Sequence, residues 1–189
     1  LEKAYAEEEE KLQPVAKKLE ALHGSVMPRT YVGPSYGEAE FKGQRVPRIL
    51  VFSINQSRQS QDLTDDQVRA SMRTILQDQD GRYRANGFGP RALAANLSRW
   101  LLMQCGVELG GIHPGDMHDV IAYDNFVKWP FDKDNSEPPA KAWEAFYPIN
   151  RKVLEILKPE IVLLLGHPMY DHLWSAVEGR LVDSHRKNV

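Results

Sequence analysis

Cysteine is almost absent from this sequence, since Cys105 is the only one among its 189 residues. A single cysteine excludes an internal disulfide bond, and it also excludes a zinc site or an iron–sulfur cluster built from several cysteines. Cys105 lies within the apolar stretch 100–107, where a cysteine usually behaves as a small hydrophobic residue. We therefore interpret it as a buried residue rather than as a nucleophile.

Long apolar stretches and an excess of one charge are also missing. No segment approaches the roughly 20 apolar residues of a membrane span, and no signal-peptide core is visible. The net charge is −2, so binding of nucleic acid would require a local basic patch. A hydrophobic fraction of 42% and a charged fraction of 26% are typical of soluble globular proteins. We expect a cytoplasmic protein with no membrane partner.

Several motifs that identify common enzyme classes do not occur. The sequence has no GxGxxG and no Walker-type loop, so it does not indicate a dinucleotide or nucleotide cofactor. It has no GxSxG, which argues against the nucleophile elbow of the α/β hydrolases. Its histidines include the pairs 113/118 and 167/172, and a spacing of five does not place both rings on one helix face. We predict neither a metal site nor a cofactor.

A helix followed by a strand is the clearest structural pattern in the chain. Apolar residues recur every three or four positions from Trp143 to Leu157, and Lys158-Pro159 ends this helix because the residue before proline disfavours the α conformation. Ile161–Leu165 is an unbroken apolar run, typical of a strand covered on both faces, and Gly166 closes it. The unit predicts an α/β fold with three α/β/α layers and a mostly parallel central sheet.

The rest of the chain supplies the other elements of one compact domain. Residues 1–47 are interpreted as an N-terminal helix and a long irregular connection, and residues 48–189 as the α/β domain itself. Further strands are predicted at 48–52 and 120–126, and a last strand is expected soon after Val189.

Polar residues follow three of the predicted strands, at 55–57, 124–125 and 166–167. Each cluster alone is equally consistent with an ordinary turn, because Asn, Asp and Ser hydrogen-bond the backbone of turns. The carboxyl ends of parallel strands, however, meet at one edge of a sheet, and ligands of open α/β sheets bind outside that edge. Together the three clusters predict a pocket there.

Four segments resemble, in order, the motifs of the uracil-DNA glycosylase superfamily across about residues 48–174. RILVFSINQS resembles the first-strand motif of the branches that have Asn at that position. NGFGPRALAANLSRWLLMQCGVE resembles the segment that carries a base-stacking aromatic residue and a helix. DVIAYDNFVKWPF resembles the strand that ends in a base-reading asparagine, and the helix, Lys-Pro, apolar strand and Gly around 147–166 resemble the unit before the final strand.

The resemblance implies a role for five residues in binding and attacking a base. Asn55 would position the water that attacks C1′ of the nucleotide. Phe88 would stack on the flipped base, and Asn125 would hydrogen-bond its Watson–Crick edge. Backbone groups around Ile54 and Gln56 would contact the base carbonyl.

The resemblance also implies a second catalytic residue and a DNA-contacting surface. His185 lies nearest to the place of the superfamily's second motif, an HPS-type turn after the last strand, and is the second catalytic candidate. The candidate contacts to the DNA backbone are Ser57, Arg58, Arg84 and His167. His167 is also consistent with a simple helix start, because Pro168 suits the first turn of a helix.

The implied function is hydrolysis of the N-glycosidic bond of a uracil or damaged base that is flipped out of DNA. Flipping makes the bond reachable, and uracil leaves as an anion that hydrogen-bond donors stabilise. The expected partner is single- or double-stranded DNA, and the expected form is a monomer. Two alternatives stay open: a divergent, non-catalytic member that binds nucleic acid or protein, and a hydrolase of nucleosides or nucleotides.

Overall fold

The computed structural model of the protein describes residues 1–22, 26–55, 64–70, 97, 99, 101–103, 106–107, 117–129, 131, 138–166 and 169–176. The helices in these ranges are α1 (Glu2–Lys18), α2 (Met117–Val120), α3 (Ala140–Ala145), α4 (Tyr147–Leu157) and α5 (Met169–Ala176). The strands are β1 (Tyr31–Val32), β2 (Glu40–Phe41), β3 (Gln44–Arg45), β4 (Ile49–Asn55), β5 (Ile121–Val127) and β6 (Ile161–Leu165). Residues 65–70 and 101–103 are also helical.

The main sheet has four strands in the order β1-β5-β4-β6. Strand β4 pairs in parallel with both β5 and β6, so that Ile49 lies opposite Ile121 on one side and Ile161 on the other. Strand β1 pairs antiparallel with β5, and β2 and β3 form a separate two-stranded sheet. The predicted α/β class and the mostly parallel central sheet are confirmed.

Apolar side chains cover both faces of this sheet. The first four residues of β4 are all apolar, so they extend into the cores on both sides. Leu50 and Phe52 belong to one core cluster, Ile49 and Val51 belong to another, and all four are fully buried. The first cluster includes residues of α1 and α3 to α5, and the second includes Leu97, Leu101 and Met117. A strand whose successive side chains enter opposite cores has the pattern of a parallel sheet covered on both sides.

The predicted helix–strand unit around residues 143–166 contains the predicted strand, but its helix is divided into two. Strand β6 has the predicted bounds, and Lys158 ends α4 with a left-handed φ of 46°. The predicted single helix is wrong in one respect, since α3 and α4 are separate helices that meet at Phe146. The predicted cover of β6 on both faces is confirmed, because its side chains alternate between the two core clusters: Val162 and Leu164 pack against the first, and Ile161 and Leu163 against the second. Only the last residue of this edge strand, Leu165, is 38% exposed.

Two other predicted segments differ from the structure. Strand β4 continues through Asn55, so the first polar cluster begins inside the strand rather than in a turn. The connection predicted to be irregular contains β1 and the β2–β3 hairpin. Pairing with a neighbouring strand overrides the turn preference of polar residues, which explains both differences.

Two isoleucines of α4 provide a matched test of the core. Ile149 is fully buried, whereas Ile156 is 49% exposed. We expect Ile149→Ala to lower the free energy of unfolding by about 2–5 kcal/mol, because apolar contacts are lost and a cavity remains. Ile156→Ala should lower it by less than about 1 kcal/mol, since less apolar area is buried there. Urea denaturation measures both losses, and equal losses would contradict this orientation of α4.

Glu160 ties the β2–β3 hairpin to the start of β4 and β6. Its two carboxylate oxygens accept hydrogen bonds from the Arg45 guanidinium at 2.8 and 2.6 Å. The backbone N–H of Arg48 donates to the same carboxylate at 3.0 Å. These donors, Arg45 first and the Arg48 backbone second, lower the pKa of Glu160 to about 2.

The low pKa of Glu160 predicts a stability change in acid. The folded-state pKa lies below the ordinary value of 4.5, so the contribution of Glu160 is present above that value and is lost as the pH falls toward about 2. Glu160→Gln should therefore lie below the wild type in unfolding free energy at neutral pH and approach it in acid. Urea midpoints against pH test this, with exposed Glu155→Gln as the control. A wild-type advantage that is independent of pH would contradict the prediction.

Candidate functional site at the carboxyl edge of the sheet

The parallel register brings the ends of three strands to one edge of the sheet. Ser53 lies opposite Asn125 on one side and Leu165 on the other, and Asn55 lies opposite Val127. The strand segments that precede the three predicted polar clusters therefore end side by side. This edge is where the sequence predicts the pocket.

Asn125 is one of the buried polar residues at this edge, with 2% of its surface exposed. The Ser53 hydroxyl donates a hydrogen bond to its Oδ1 across the β4–β5 pair. Its Nδ2 is buried and has no hydrogen-bond partner among the residues that the structure describes. Buried amide donors are nearly always hydrogen-bonded in folded proteins, so an unpaired one indicates a place for a ligand or for water.

Side chains also hold the backbone of Asn125. Its N–H donates to Asp124 Oδ1 at 2.7 Å, and its carbonyl oxygen accepts from Lys128 Nζ at 2.5 Å. A strand neighbour would normally satisfy such groups, but β1 reaches only as far as Ala122 and Tyr123 along β5. Asp124 and Lys128 take the place of the missing strand.

Asp124 and Lys128 form an ion pair whose side chains are both 0% exposed. Lys128 Nζ lies 2.6 Å from Asp124 Oδ2. The same oxygen accepts from the Tyr5 hydroxyl at 2.9 Å and from the Thr30 hydroxyl at 2.8 Å. The amino group also lies over the rings of Tyr5 and Phe52, at 5.8 and 5.6 Å from their centres. The carboxylate is thus surrounded by donors from α1, the segment before β1, and β5.

Burial controls the protonation of this buried network. It lowers the pKa of the Lys128 amino group, and the neighbouring Asp124 carboxylate opposes that change. Burial, with a further contribution from Asp124, raises the pKa of Tyr5 well above its usual value near 10. Tyr5 therefore remains a phenol that donates to the carboxylate.

Lys128 and Tyr5 are not among the site residues that the sequence predicts. Lys128 follows the predicted strand at 120–126, and Tyr5 lies far away in the predicted N-terminal helix. The sequence contains one indication of the pair. Asp124 and Lys128 stand four positions apart at the end of an apolar strand, and a buried charge needs a partner of opposite charge. Nothing local to Tyr5 could indicate its contact with Asp124, since 119 positions separate the two.

Two further predicted residues fall within the described part of β4. Ile54 is partly buried beside the first core cluster, and a Cβ atom added to Gly166 would lie 2.9 Å from its Cδ1. Gly166 also has a φ of 143°, which residues with a side chain rarely adopt, so glycine is favoured where β6 ends. Asn55 is the last residue of β4. The other predicted site residues lie outside the described residues: Gln56, Ser57, Arg58, Arg84, Phe88, His167 and His185.

Comparison with known proteins assigns no family to the chain. No family model matches it, and no curated protein matches it. Within the described ranges no helix is long and apolar enough for a membrane span, and no three His, Cys, Asp or Glu side chains are grouped as metal ligands. The functional interpretation therefore depends on the sheet edge and on the resemblance of the sequence segments.

Lys128 and Lys152 provide a matched test of the buried ion pair. Lys128→Met leaves Asp124 charged and without its cation, which should lower the free energy of unfolding by about 3–5 kcal/mol. Lys152 also contacts two carboxylates, of Glu7 at 3.2 Å and Glu8 at 3.1 Å, but its side chain is 33% exposed. Lys152→Met should therefore cost at most about 1 kcal/mol. Urea denaturation compares the two, and similar losses would contradict the role of burial.

Proposed function

We propose that this protein is a hydrolase of the uracil-DNA glycosylase type, with a three-layer α/β/α fold. It would cleave the N-glycosidic bond of a uracil or damaged base flipped out of DNA. The observation that carries the proposal is the buried Asn125 side chain, which has an unpaired Nδ2 in the described part of the chain. It lies at the strand edge shared with Asn55, where ligands of α/β sheets bind.

The amide of Asn125 suits the Watson–Crick edge of uracil. Its Nδ2 can donate to the O4 carbonyl of the base. Its Oδ1 has two lone pairs, so it can accept from N3–H as well as from the Ser53 hydroxyl. Cytosine presents an amino group and an unprotonated N3 at these positions, which oppose both contacts. The side chain therefore favours uracil over cytosine.

The attack on the sugar is assigned to Asn55, which would orient a water molecule toward C1′. The departing base carries negative charge, and backbone donors near Ile54 and Gln56 would stabilise it. Phe88 would stack on the base and offset part of the cost of unstacking it from DNA. His185 is the second catalytic candidate.

The DNA contacts are assigned to Ser57, Arg58, Arg84 and His167. Because the net charge of the chain is −2, its attraction to DNA would be local to this surface. Binding to DNA through its phosphates weakens as the salt concentration rises, because cations compete with the protein for the phosphates. We further propose that the protein acts as a cytoplasmic monomer.

Release of uracil from synthetic DNA tests the proposal. The protein is incubated with single- and double-stranded oligonucleotides that contain uracil, and alkali then cleaves the abasic sites. We expect strand scission by the wild type. For Asn55→Ala we expect a rate that is at least about 100-fold lower, which is the smallest usual effect of removing a group that positions or activates a nucleophile. Asn125→Ala should reduce the rate on uracil similarly. Gln44→Ala, which removes an exposed amide on β3, is the matched control and should have no effect.

The other outcomes distinguish the alternatives. Wild-type scission that never exceeds that of Asn55→Ala would rule out uracil-DNA glycosylase activity. Tight binding of the oligonucleotide without scission would indicate a non-catalytic binding protein. Cleavage of free nucleosides, but not of DNA, would indicate a nucleoside hydrolase.

A further inference from the structure

We propose that the buried pair of Asp124 and Lys128 positions Asn125 for base recognition. The inference rests on the proposed function, because it assigns the pair as positioning residues of that same site. Neither side chain is exposed. They would act through Asn125, without contact with DNA or the base.

The geometry restrains Asn125 at three points. Asp124 Oδ1 accepts from its backbone N–H at 2.7 Å, and Lys128 Nζ donates to its carbonyl oxygen at 2.5 Å. Ser53 donates to its side-chain Oδ1. The two backbone contacts determine where the Cα atom lies, and the side-chain contact sets the plane of the amide. Together they direct Nδ2 to one place.

The pair is itself immobilised from outside β5. Tyr5 and Thr30 both donate to Asp124 Oδ2, and their hydroxyl groups lie 2.7 Å from each other. Tyr5 comes from α1, which packs against α4, so the restraint on Asn125 extends to the helical layer. The end of β5 is thereby connected to the helices that cover one face of the sheet.

Stability alone does not account for a buried pair at this place. Replacing a buried ion pair with apolar side chains of similar size often leaves stability unchanged or raises it. A charged pair is therefore better explained by what its charges hold, namely the N–H and the carbonyl of Asn125. Small displacements matter at such a residue, since a shift of about 1 Å can reduce a rate by about 100-fold.

The double variant Asp124→Leu/Lys128→Met tests the positioning role without leaving a lone buried charge. We expect kcat on uracil-containing DNA to fall by about 100-fold, because Asn125 is no longer held in place. KM should change by less than about threefold, since phosphate contacts dominate affinity for DNA. Val153→Ala, a fully buried substitution in α4, is the control for general destabilisation and should keep the wild-type kcat. A double variant that is folded and has wild-type kcat would overturn the proposal.

Hydrogen exchange tests positioning independently of activity. The backbone amide of Asn125 should exchange about 10- to 100-fold faster in the double variant, as expected when a hydrogen bond to a charged group is lost. The amide of Ala122 should keep its wild-type rate. Unchanged exchange at Asn125 would overturn the positioning role, even if the wild type releases uracil. If the wild type releases none, the proposed function fails, and the exchange of this amide still decides whether the pair positions Asn125.

Discussion

The parallel pairing of β4 with both β5 and β6 determines which polar side chains can meet in this protein. Ile49 lies opposite Ile121 and Ile161, and with this register all three strands end at the same edge. A slip of one residue would turn the side chains of a strand to its other face. Ser53 would then lose Asn125, and apolar residues of β4 would leave their cores. The same strand register therefore places the apolar residues of β4 in their cores and brings Ser53 to Asn125.

A buried polar edge is stable only if nearly every polar group finds a partner. Strand β1 is too short to continue the ladder beyond Tyr123, so Asn125 has backbone groups that no strand in the described sheet satisfies. Asp124 and Lys128 satisfy them, and Tyr5 completes the partners of the carboxylate. Among the described residues near the end of β5, the Nδ2 of Asn125, the Nε1 of Trp129 and the Oδ1 of Asn150 are buried without a partner. An unpaired donor inside a satisfied network is the feature that most favours a binding role for this edge.

Local patterns in the sequence predicted the presence of helices and strands better than the residues at which these elements end. Strand β6 has its predicted bounds because an apolar run between Pro159 and Gly166 has clear limits. The end of β4 was misjudged, since SINQS has turn-forming residues and only the neighbouring β5 extends the strand to Asn55. The helix before β6 was predicted without its break at Phe146, because the apolar spacing continues through α3 and α4.

The sequence by itself determined the α/β class, the parallel sheet and the polar cluster at 124–125, because each follows from patterns within a few residues. The resemblance to a known superfamily then singled out Asn125 within that cluster. Only the tertiary structure decided that Ser53 would bond Asn125 and that Lys128 would be buried. These facts depend on contacts between distant segments, such as Tyr5 with Asp124 across 119 positions. Whether a charge lies in water or in a core is set by the elements packed around it, and no local pattern contains that information.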